Sequence, residues 1–83
     1  MKKVTVYSML NCPYCVKAKG LLTQRGVAFE TIMIDDWSDE AWDDLVKKSG
    51  MKTVPQVYVD EKLIGGYTQL AEADQKDQLA SFK

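Results

Sequence analysis

The sequence predicts an α/β domain in which a four-stranded mixed sheet is flanked by helices, in the order β-α-β-α-β-β-α. Three observations predict this class: short runs of strand-forming residues, two intervening segments with helical periodicity, and a pair of short runs around a turn. A chain of 83 residues is long enough for one small core and too short for two. We therefore expect residues 1–83 to form a single domain.

The first strand and the first helix follow from the residues around the first proline. A Val-Thr-Val-Tyr run predicts a strand at residues 3–8. Pro13 suits the first turn of a helix, where its missing N–H is not needed, and apolar residues follow at helical spacing. Arg25 before Gly26 is typical of a helix end, so a helix is expected at residues 13–24.

A second strand and a second helix come next. Residues 28–34 are rich in Phe, Thr and Ile, and the helix before them is long enough for a parallel crossover. Ser38 is a candidate N-cap, and Gly50 closes the helix that follows. The expected buried stripe of that helix is Trp42, Leu45 and Val46. For Trp42, packing in the core is preferred over a ligand-binding role.

The remaining residues predict a hairpin and a third helix. The expected elements are a loop at 51–55, short strands at 56–59 and 62–64, and a last helix from residue 70 to about residue 81. Asp60 and Glu61 form the turn of the hairpin. Gly65 and Gly66 end the second of its strands, and Thr68 is the candidate cap of the helix.

Composition excludes several function classes. With 46% hydrophobic and 28% charged residues, the chain has the profile of a folded globular protein. A net charge of −1 gives no basis for nucleic-acid binding. The sequence holds no apolar run near the roughly 20 residues that span a bilayer, and the start lacks a signal-peptide pattern, so a cytoplasmic, reducing location is expected.

Two cysteines, Cys12 and Cys15, are the candidate chemical groups, and the chain contains no histidine. Two soft ligands from one chain cannot complete a tetrahedral zinc site, and a metal would need a second chain, carboxylates or an outside thiol, so no metal is expected. As a structural staple the pair is poor, because closing so short a loop stabilises a chain by only about 2 kcal/mol. The spacing suits a redox couple that opens and closes with little change elsewhere, although two cysteines this close also occur by chance.

The position of Cys12 predicts a reactive sulfur. A thiol with a pKa of about 8.5 is only about 3% thiolate at pH 7, and the thiolate is the nucleophile. Free N–H groups and the positive end of the dipole at the helix start favour the anion at Cys12. Lys17 and Lys19 add positive charge. Cys15, one turn into the helix, should be more enclosed, which makes it the resolving partner.

Three motifs resemble those of the dithiol glutaredoxins, especially small bacterial ones: Cys12-Pro13-Tyr14-Cys15, Thr53-Val54-Pro55-Gln56 and Gly65-Gly66. The resemblance covers essentially the whole chain and implies a thioredoxin-like fold. It also implies a glutathione-dependent thiol–disulfide oxidoreductase that reduces protein disulfides and protein–glutathione mixed disulfides. In this scheme Cys12 attacks, glutathione regenerates it, and Cys15 resolves adducts with protein disulfides.

The same resemblance implies a substrate site and its residues. Pro55 matches a cis-proline opposite the cysteines, which would present the Val54 backbone to an extended substrate. Lys52 matches an often basic position that would hold a glutathione carboxylate, and the γ-glutamyl end would dock at the start of the last helix. The implied substrate-binding residues are Tyr14, Lys52, Thr53, Val54, Pro55, Gly66, Tyr67 and Thr68.

Two positions depart from the family pattern. Many relatives carry a lysine where this chain has Met9, and an aspartate where it has Thr68. The first change removes a cation from the thiolate, and the second removes the anion that would meet the glutathione ammonium. We therefore expect weaker saturation by glutathione than is usual for the family.

Two other functions stay open at this point. One is a redoxin that is reduced by a thioredoxin reductase, and the other is a carrier that shares a [2Fe-2S] cluster between two chains. Pro13 and Tyr14 speak against the carrier, because cluster-binding relatives more often have a small residue there. The expected partners are glutathione and disulfide-containing or glutathionylated client proteins, without nucleic acid or membrane, and the expected state is a monomer.

Overall fold

The computed structural model describes residues 2–82 and has the predicted order of elements. The strands are β1 (Val4–Ser8), β2 (Glu30–Met33), β3 (Gln56–Val59) and β4 (Lys62–Gly65). The α-helices are α1 (Pro13–Gln24), α2 (Asp39–Ser49) and α3 (Tyr67–Gln75), and a short 3-10 helix follows at Leu79–Phe82.

The four strands form one mixed sheet in the order β2-β1-β3-β4. β1 pairs parallel to β2, with Val6 opposite Thr31, which confirms the predicted crossover. β1 pairs antiparallel to β3, with Val6 opposite Val57, and β3 pairs antiparallel to β4. Because β1 and β3 are antiparallel, β3 begins at the edge of the sheet where β1 ends and the cysteine loop leaves it.

The main core lies on one face of this sheet, beneath α1 and α3. Because alternate residues of a strand point to the same face, β1 and β3 each contribute two valines. Buried members of this cluster are Val4, Val6, Val57 and Val59 from the strands, Ala18, Leu22, Leu70 and Ala73 from the helices, and Val27, Leu79 and Phe82. Fixing α1 against β1 in this way fixes the position of the cysteines at its start.

The opposite face of the sheet carries aromatic residues and is less completely covered. The Tyr7 ring packs edge-on against Trp37 and Tyr58, with centroids 5.8 and 5.4 Å away. Lys48 Nζ of α2 lies 5.1 Å from the centroid of the Tyr58 ring. Trp42, expected in the core, is only half-buried and lies outside the main cluster. It lines a hollow on this side of the molecule.

The second helix begins and ends at the predicted residues. Ser38 Oγ accepts the Ala41 N–H at 3.1 Å, and Gly50 adopts a left-handed conformation with φ 72°. By contrast, β2 starts at Glu30, two residues later than expected. The register pairs Glu30 with Thr5, and this is the first residue pair between the two strands.

The third helix corrects two expectations. It starts at Tyr67 with Gly66 as its N-cap, because Gln69 Oε1 accepts the Gly66 N–H at 2.9 Å, so Thr68 lies inside the helix and does not cap it. It ends at Gln75, well before residue 81. There Asp77 takes φ 58°, and the Gln78 N–H donates to Ala73 at 2.9 Å in a Schellman motif.

None of the helices within residues 2–82 combines the length and the apolar character that crossing a bilayer requires.

Candidate active site

The loop from β1 to α1 carries the first cysteine and is held by a side chain from the next crossover. The Leu10 N–H donates to both carboxylate oxygens of Asp35, at 3.0 and 3.3 Å. Asn11 has φ 55°, a left-handed conformation that asparagine tolerates better than most residues. The loop thereby turns the chain so that Cys12 stands at the N-cap of α1.

Cys12 and Cys15 are joined by a disulfide, with their Cα atoms 5.2 Å apart. Cys15 is 1% exposed, whereas Cys12 is partly exposed. This is the difference in exposure that the sequence predicts. Cys12 Sγ accepts the Cys15 N–H at 3.2 Å. This donor and the positive end of the helix dipole both lie at Cys12, the more exposed of the two sulfurs.

The two lysines near the cysteines lie in different surroundings. Lys17 Nζ lies 5.1 Å from the centroid of the ring of Tyr14, a residue one turn earlier on α1. Lys19 lines a groove that also contains Cys12. Both cations lie on the helix that begins at Cys12, so each adds positive potential on that side of the sulfur.

The loop before β3 brings a second backbone segment to the cysteines. The Val54–Pro55 peptide is cis, as the resemblance implies, and the Val54 carbonyl oxygen lies 3.9 Å from Cys12 Sγ. Gln56, fully buried, holds this loop from below. Its Nε2 donates to the carbonyl oxygens of Met51 at 3.2 Å and Thr53 at 3.0 Å.

The glycine pair closes the far side of the same depression. Gly65 has φ 130°, and a Cβ there would lie 2.7 Å from Gln69 Cγ, so a side chain would displace the residue that caps α3. The rings of Tyr14 and Tyr67 face each other across the depression, with centroids 6.0 Å apart. We call the space between Tyr14, the cis-proline loop and the start of α3 the substrate groove. It measures about 450 Å³, within the range of small-molecule sites.

Comparison with known proteins agrees with this geometry. The Glutaredoxin family model matches residues 4–64. Glutaredoxin 3 of Escherichia coli strain K12 is 38% identical over 79 residues, which cover 95% of this chain and 94% of that protein. Glutaredoxin 1 of Rickettsia conorii is 39% identical over 77 residues, covering 92% of this chain and 76% of that protein. The chain belongs to the glutaredoxin family.

Solved glutaredoxin structures share its fold. A crystal structure of a buckwheat glutaredoxin–glutathione complex superposes with a TM-score of 0.88 at 31% identity, covering 98% of this chain and 76% of that one. Glutaredoxin C1 from Populus tremula x tremuloides, in its holo form, gives a TM-score of 0.87 at 34% identity, covering 95% of this chain and 80% of that one. This glutaredoxin is therefore a thiol–disulfide oxidoreductase with a thioredoxin-like fold, and its redox pair is Cys12 and Cys15.

The substrate groove of this glutaredoxin is lined by most of the residues that the resemblance implies and by two others. Seven implied residues line it: Tyr14, Thr53, Val54, Pro55, Gly66, Tyr67 and Thr68. Lys52 is exposed and lies outside the lining. Met51 and Gln69 line the groove and were not expected. A glutamine three residues after an N-cap is a recognisable capping signal, so the sequence could have indicated Gln69, but nothing local indicates Met51.

Among residues 2–82 of this glutaredoxin, no group of three or more His, Cys, Asp or Glu side chains is arranged to hold a metal ion.

Proposed function

We propose that this glutaredoxin uses glutathione to reduce protein–glutathione mixed disulfides and protein disulfides, with Cys12 as nucleophile and Cys15 as resolving thiol. The observation that carries the proposal is the contrast between the two sulfurs. Cys12 is partly exposed and its Sγ accepts a helix-start N–H, whereas Cys15 is 1% exposed. The first can meet a disulfide from solvent, and the second can meet only what is already bonded to the first.

The reaction with a mixed disulfide proceeds in two exchanges. The Cys12 thiolate attacks the glutathionyl sulfur, the S–S bond of the substrate breaks, and the client leaves as its thiolate, which takes a proton from water. A glutathione thiolate then attacks the same sulfur of the Cys12 adduct. Glutathione disulfide leaves, and the Cys12 thiolate is restored.

A protein disulfide needs the second cysteine. Cys12 attacks one client sulfur and releases the other as a thiolate, and the Cys15 thiolate then attacks Cys12 Sγ. The client departs fully reduced, and the Cys12–Cys15 disulfide remains. Two glutathiones restore the dithiol and leave as glutathione disulfide, so the two electrons delivered to the client come from them.

The substrate groove offers partners for the backbone and for the γ-glutamyl end of glutathione. The Tyr67 and Thr68 N–H groups at the start of α3 have no carbonyl within their own helix and suit a carboxylate. The Val54 backbone, beside the cis peptide, suits the extended cysteine residue of glutathione. Lys52, at the surface of the same loop, would meet the other carboxylate. The glutathione bound in the buckwheat glutaredoxin supports the assignment by similarity.

The test compares Cys12→Ser with Cys15→Ser in an assay that couples glutathione disulfide formation to glutathione reductase. With a small mixed disulfide of cysteine and glutathione, we expect Cys12→Ser to be inactive and Cys15→Ser to keep its activity. With a protein disulfide, Cys15→Ser should stall as a mixed disulfide that mass spectrometry detects. Activity in Cys12→Ser would refute the assignment of the nucleophile.

A thioredoxin reductase is the second candidate reductant. Its basis is Met9 and Thr68, which stand at two positions where the family commonly has charged residues. Replacing glutathione with NADPH and a thioredoxin reductase distinguishes the two. Faster reduction of the Cys12–Cys15 disulfide by the reductase than by millimolar glutathione would favour this second candidate.

We also propose that residues 1–83 act as one monomeric domain in a reducing compartment such as the cytoplasm. Sedimentation velocity of the reduced protein tests the monomer directly.

A further inference from the structure

Ser8, the last residue of β1, carries a hydroxyl that the fold buries without pairing it. The residue is 0% exposed, and within residues 2–82 its Oγ has no hydrogen-bond partner. Its carbonyl oxygen is paired, since it accepts the Ile34 N–H at 2.9 Å. A buried hydroxyl without a partner destabilises a fold, and the few that native structures keep call for an explanation such as a redox or catalytic role.

Alternation along β1 places this hydroxyl on the face of the sheet that α1 covers. Val4, Val6 and Ser8 are buried, and the two residues between them are partly exposed. Val4 and Val6 belong to the main core beneath α1 and α3. Because every second residue of a strand points to the same face, the side chain of Ser8 points towards α1 as well.

The buried face of α1 brings Cys15 to the same end of the strand. Cys15, Ala18 and Leu22 are the buried residues of α1, and their spacing of three and four positions places them on one face. Since β1 and β2 are parallel, α1 runs back along β1 after the short connection at residues 9–12. The last inward-facing residue of β1, Ser8, therefore lies at the level of the first inward-facing residue of α1, Cys15.

The hydroxyl and the sulfur are complementary once the disulfide opens. In the oxidised protein, Cys15 Sγ is bonded to Cys12 and is at most a weak acceptor. Attack of a thiolate on a disulfide releases the second sulfur as a thiolate. At Cys15 this charge would form at a residue that is 1% exposed, where stabilisation has to come from a donor in the protein.

We propose that Ser8 donates a hydrogen bond to the sulfur that leaves when glutathione reduces the Cys12–Cys15 disulfide. A glutathione thiolate attacks Cys12 Sγ, the Cys12–Cys15 bond breaks, and its electron pair departs with Cys15 Sγ. The Ser8 hydroxyl donates to this thiolate and keeps its proton. The thiolate then takes up, through water, the proton that the attacking glutathione lost. This inference rests on the proposed function and deepens it, because it assigns the residue that controls how readily glutathione regenerates the dithiol.

The hydrogen bond should also raise the reduction potential of the pair, because the hydroxyl is unpaired in the oxidised protein and paired in the reduced one. We expect Ser8→Ala to shift the equilibrium with glutathione about tenfold towards the disulfide, which lowers the potential by about 30 mV. The rate constant for reduction of the oxidised protein by glutathione should fall about tenfold, since the leaving sulfur loses its donor. Alkylation of thiols in glutathione buffers of known ratio, followed by mass spectrometry, measures both.

Two further variants separate the hydroxyl from general effects of substitution. Ser8→Thr keeps the hydroxyl and should keep the potential close to that of the natural protein. Tyr58→Phe removes a hydroxyl from a residue that is 4% exposed and whose ring lies on the other face of the sheet, so it should change neither constant. Circular dichroism verifies that each variant is folded.

The outcomes distinguish this inference from the proposed function. An unchanged potential in Ser8→Ala, or an equal shift in Tyr58→Phe, would show that Ser8 does not act on Cys15. Turnover of the cysteine–glutathione disulfide requires only Cys12 in the proposed scheme, so Ser8→Ala should keep it, and its loss would overturn the assignment to Cys15. Absence of that turnover in the natural protein would instead overturn the proposed function, while the potentials would still decide the role of Ser8.

Discussion

Cys12 combines two tasks in one side chain, because it caps α1 and carries the exposed sulfur of the redox pair. An N-cap side chain normally accepts a helix N–H through oxygen, and here Sγ takes that place at 3.2 Å from the Cys15 nitrogen. The hydrogen bond that starts the helix therefore ends on a sulfur of the redox pair. Local structure at this residue fixes the position of the sulfur on which the proposed reaction depends.

Thr68 is the residue where a single charge should change affinity for glutathione. It is exposed, lies in the second position of α3, and lines the substrate groove. We expect Thr68→Asp to lower the KM for glutathione about fivefold, since a new exposed ion pair contributes up to about 1 kcal/mol. Steady-state kinetics with the cysteine–glutathione disulfide measures this.

The control for this variant is Thr23→Asp, the same substitution at an exposed position on α1 outside the lining of the groove. An unchanged KM in Thr68→Asp, or an equal decrease in Thr23→Asp, would contradict the placement of the glutathione ammonium.

Gln56 is a buried amide whose task is to hold the cis-proline loop. Replacing it with leucine leaves the Met51 and Thr53 carbonyl oxygens without their donor. We expect Gln56→Leu to lower the free energy of unfolding by about 1–3 kcal/mol and to reduce kcat/KM, as the loop loses its support. Urea denaturation gives the stability, and Gln24→Leu at an exposed site is the control. Full stability in Gln56→Leu would show that the two hydrogen bonds are dispensable.

At the scale of elements, the hairpin of β3 and β4 has an uncommon turn. Asp60 and Glu61 both have positive φ, 49° and 69°, as a type I′ turn requires, yet neither is glycine. Asp60 has a compensating contact, since its Oδ1 accepts the Lys3 N–H at 2.8 Å. The turn therefore also ties the hairpin to the start of β1.

Glu61→Gly should stabilise the hairpin. Glycine adopts the left-handed conformation without a Cβ clash, and after the greater freedom of the unfolded chain is subtracted we expect a gain of about 0.5–1 kcal/mol in the free energy of unfolding. Thermal or urea unfolding measures it. Gly50→Ala is the matched opposite, because Gly50 has φ 72° and should lose stability on gaining a Cβ. A loss of stability in Glu61→Gly would mean that the glutamate side chain contributes more than its strain costs.

A bidentate ion pair joins the end of α1 to the last turn of α3. Arg25 Nε donates to Asp74 Oδ1 at 2.7 Å, and Nη2 donates to Oδ2 at 3.0 Å. Asp74 thereby raises the pKa of the Arg25 guanidinium. The contact joins the C-terminal ends of the two helices that cover the core, and the cysteines and the glycine pair lie at the opposite, N-terminal ends of these helices.

At the scale of the whole molecule, Tyr58 links stability to alkaline pH. Burial raises the pKa of its hydroxyl, because the charged phenolate is poorly solvated in the fold. The unfolded chain therefore releases this proton at a lower pH than the folded one. The stabilisation is complete below the ordinary tyrosine pKa of about 10 and is lost as pH rises through the higher value of the folded state.

We expect Tyr58→Phe to flatten the decline of unfolding free energy above pH 10. The measurement is urea denaturation between pH 8 and about pH 11 on the oxidised protein, whose cysteines do not titrate. Tyr14→Phe changes a ring that is 58% exposed and is the control. An equal flattening by both variants would contradict the assignment to Tyr58.

The order of elements and the start of α1 were predictable because their signals are local. Pro13 in the first turn, Ser38 as an N-cap, and Gly26 and Gly50 after helix ends each act on neighbouring backbone, so their effect can be inferred from the sequence. The end of α3 was not predicted, because Asp77 and not a glycine takes the left-handed position. The half-burial of Trp42 was not predicted, because it depends on how completely α2 covers the sheet.

By itself the sequence determined which residues carry the chemistry: a cysteine at a helix start, a second one turn later, and motifs that resemble those of a known family. Tertiary structure decided what surrounds them. The Val54 carbonyl oxygen lies beside Cys12 although 42 positions of chain separate the two residues, and the groove that contains Cys12 is lined by the ends of β1 and β2 together with α1. Contacts between residues so distant in sequence depend on how the sheet and helices pack, which no short stretch of residues encodes.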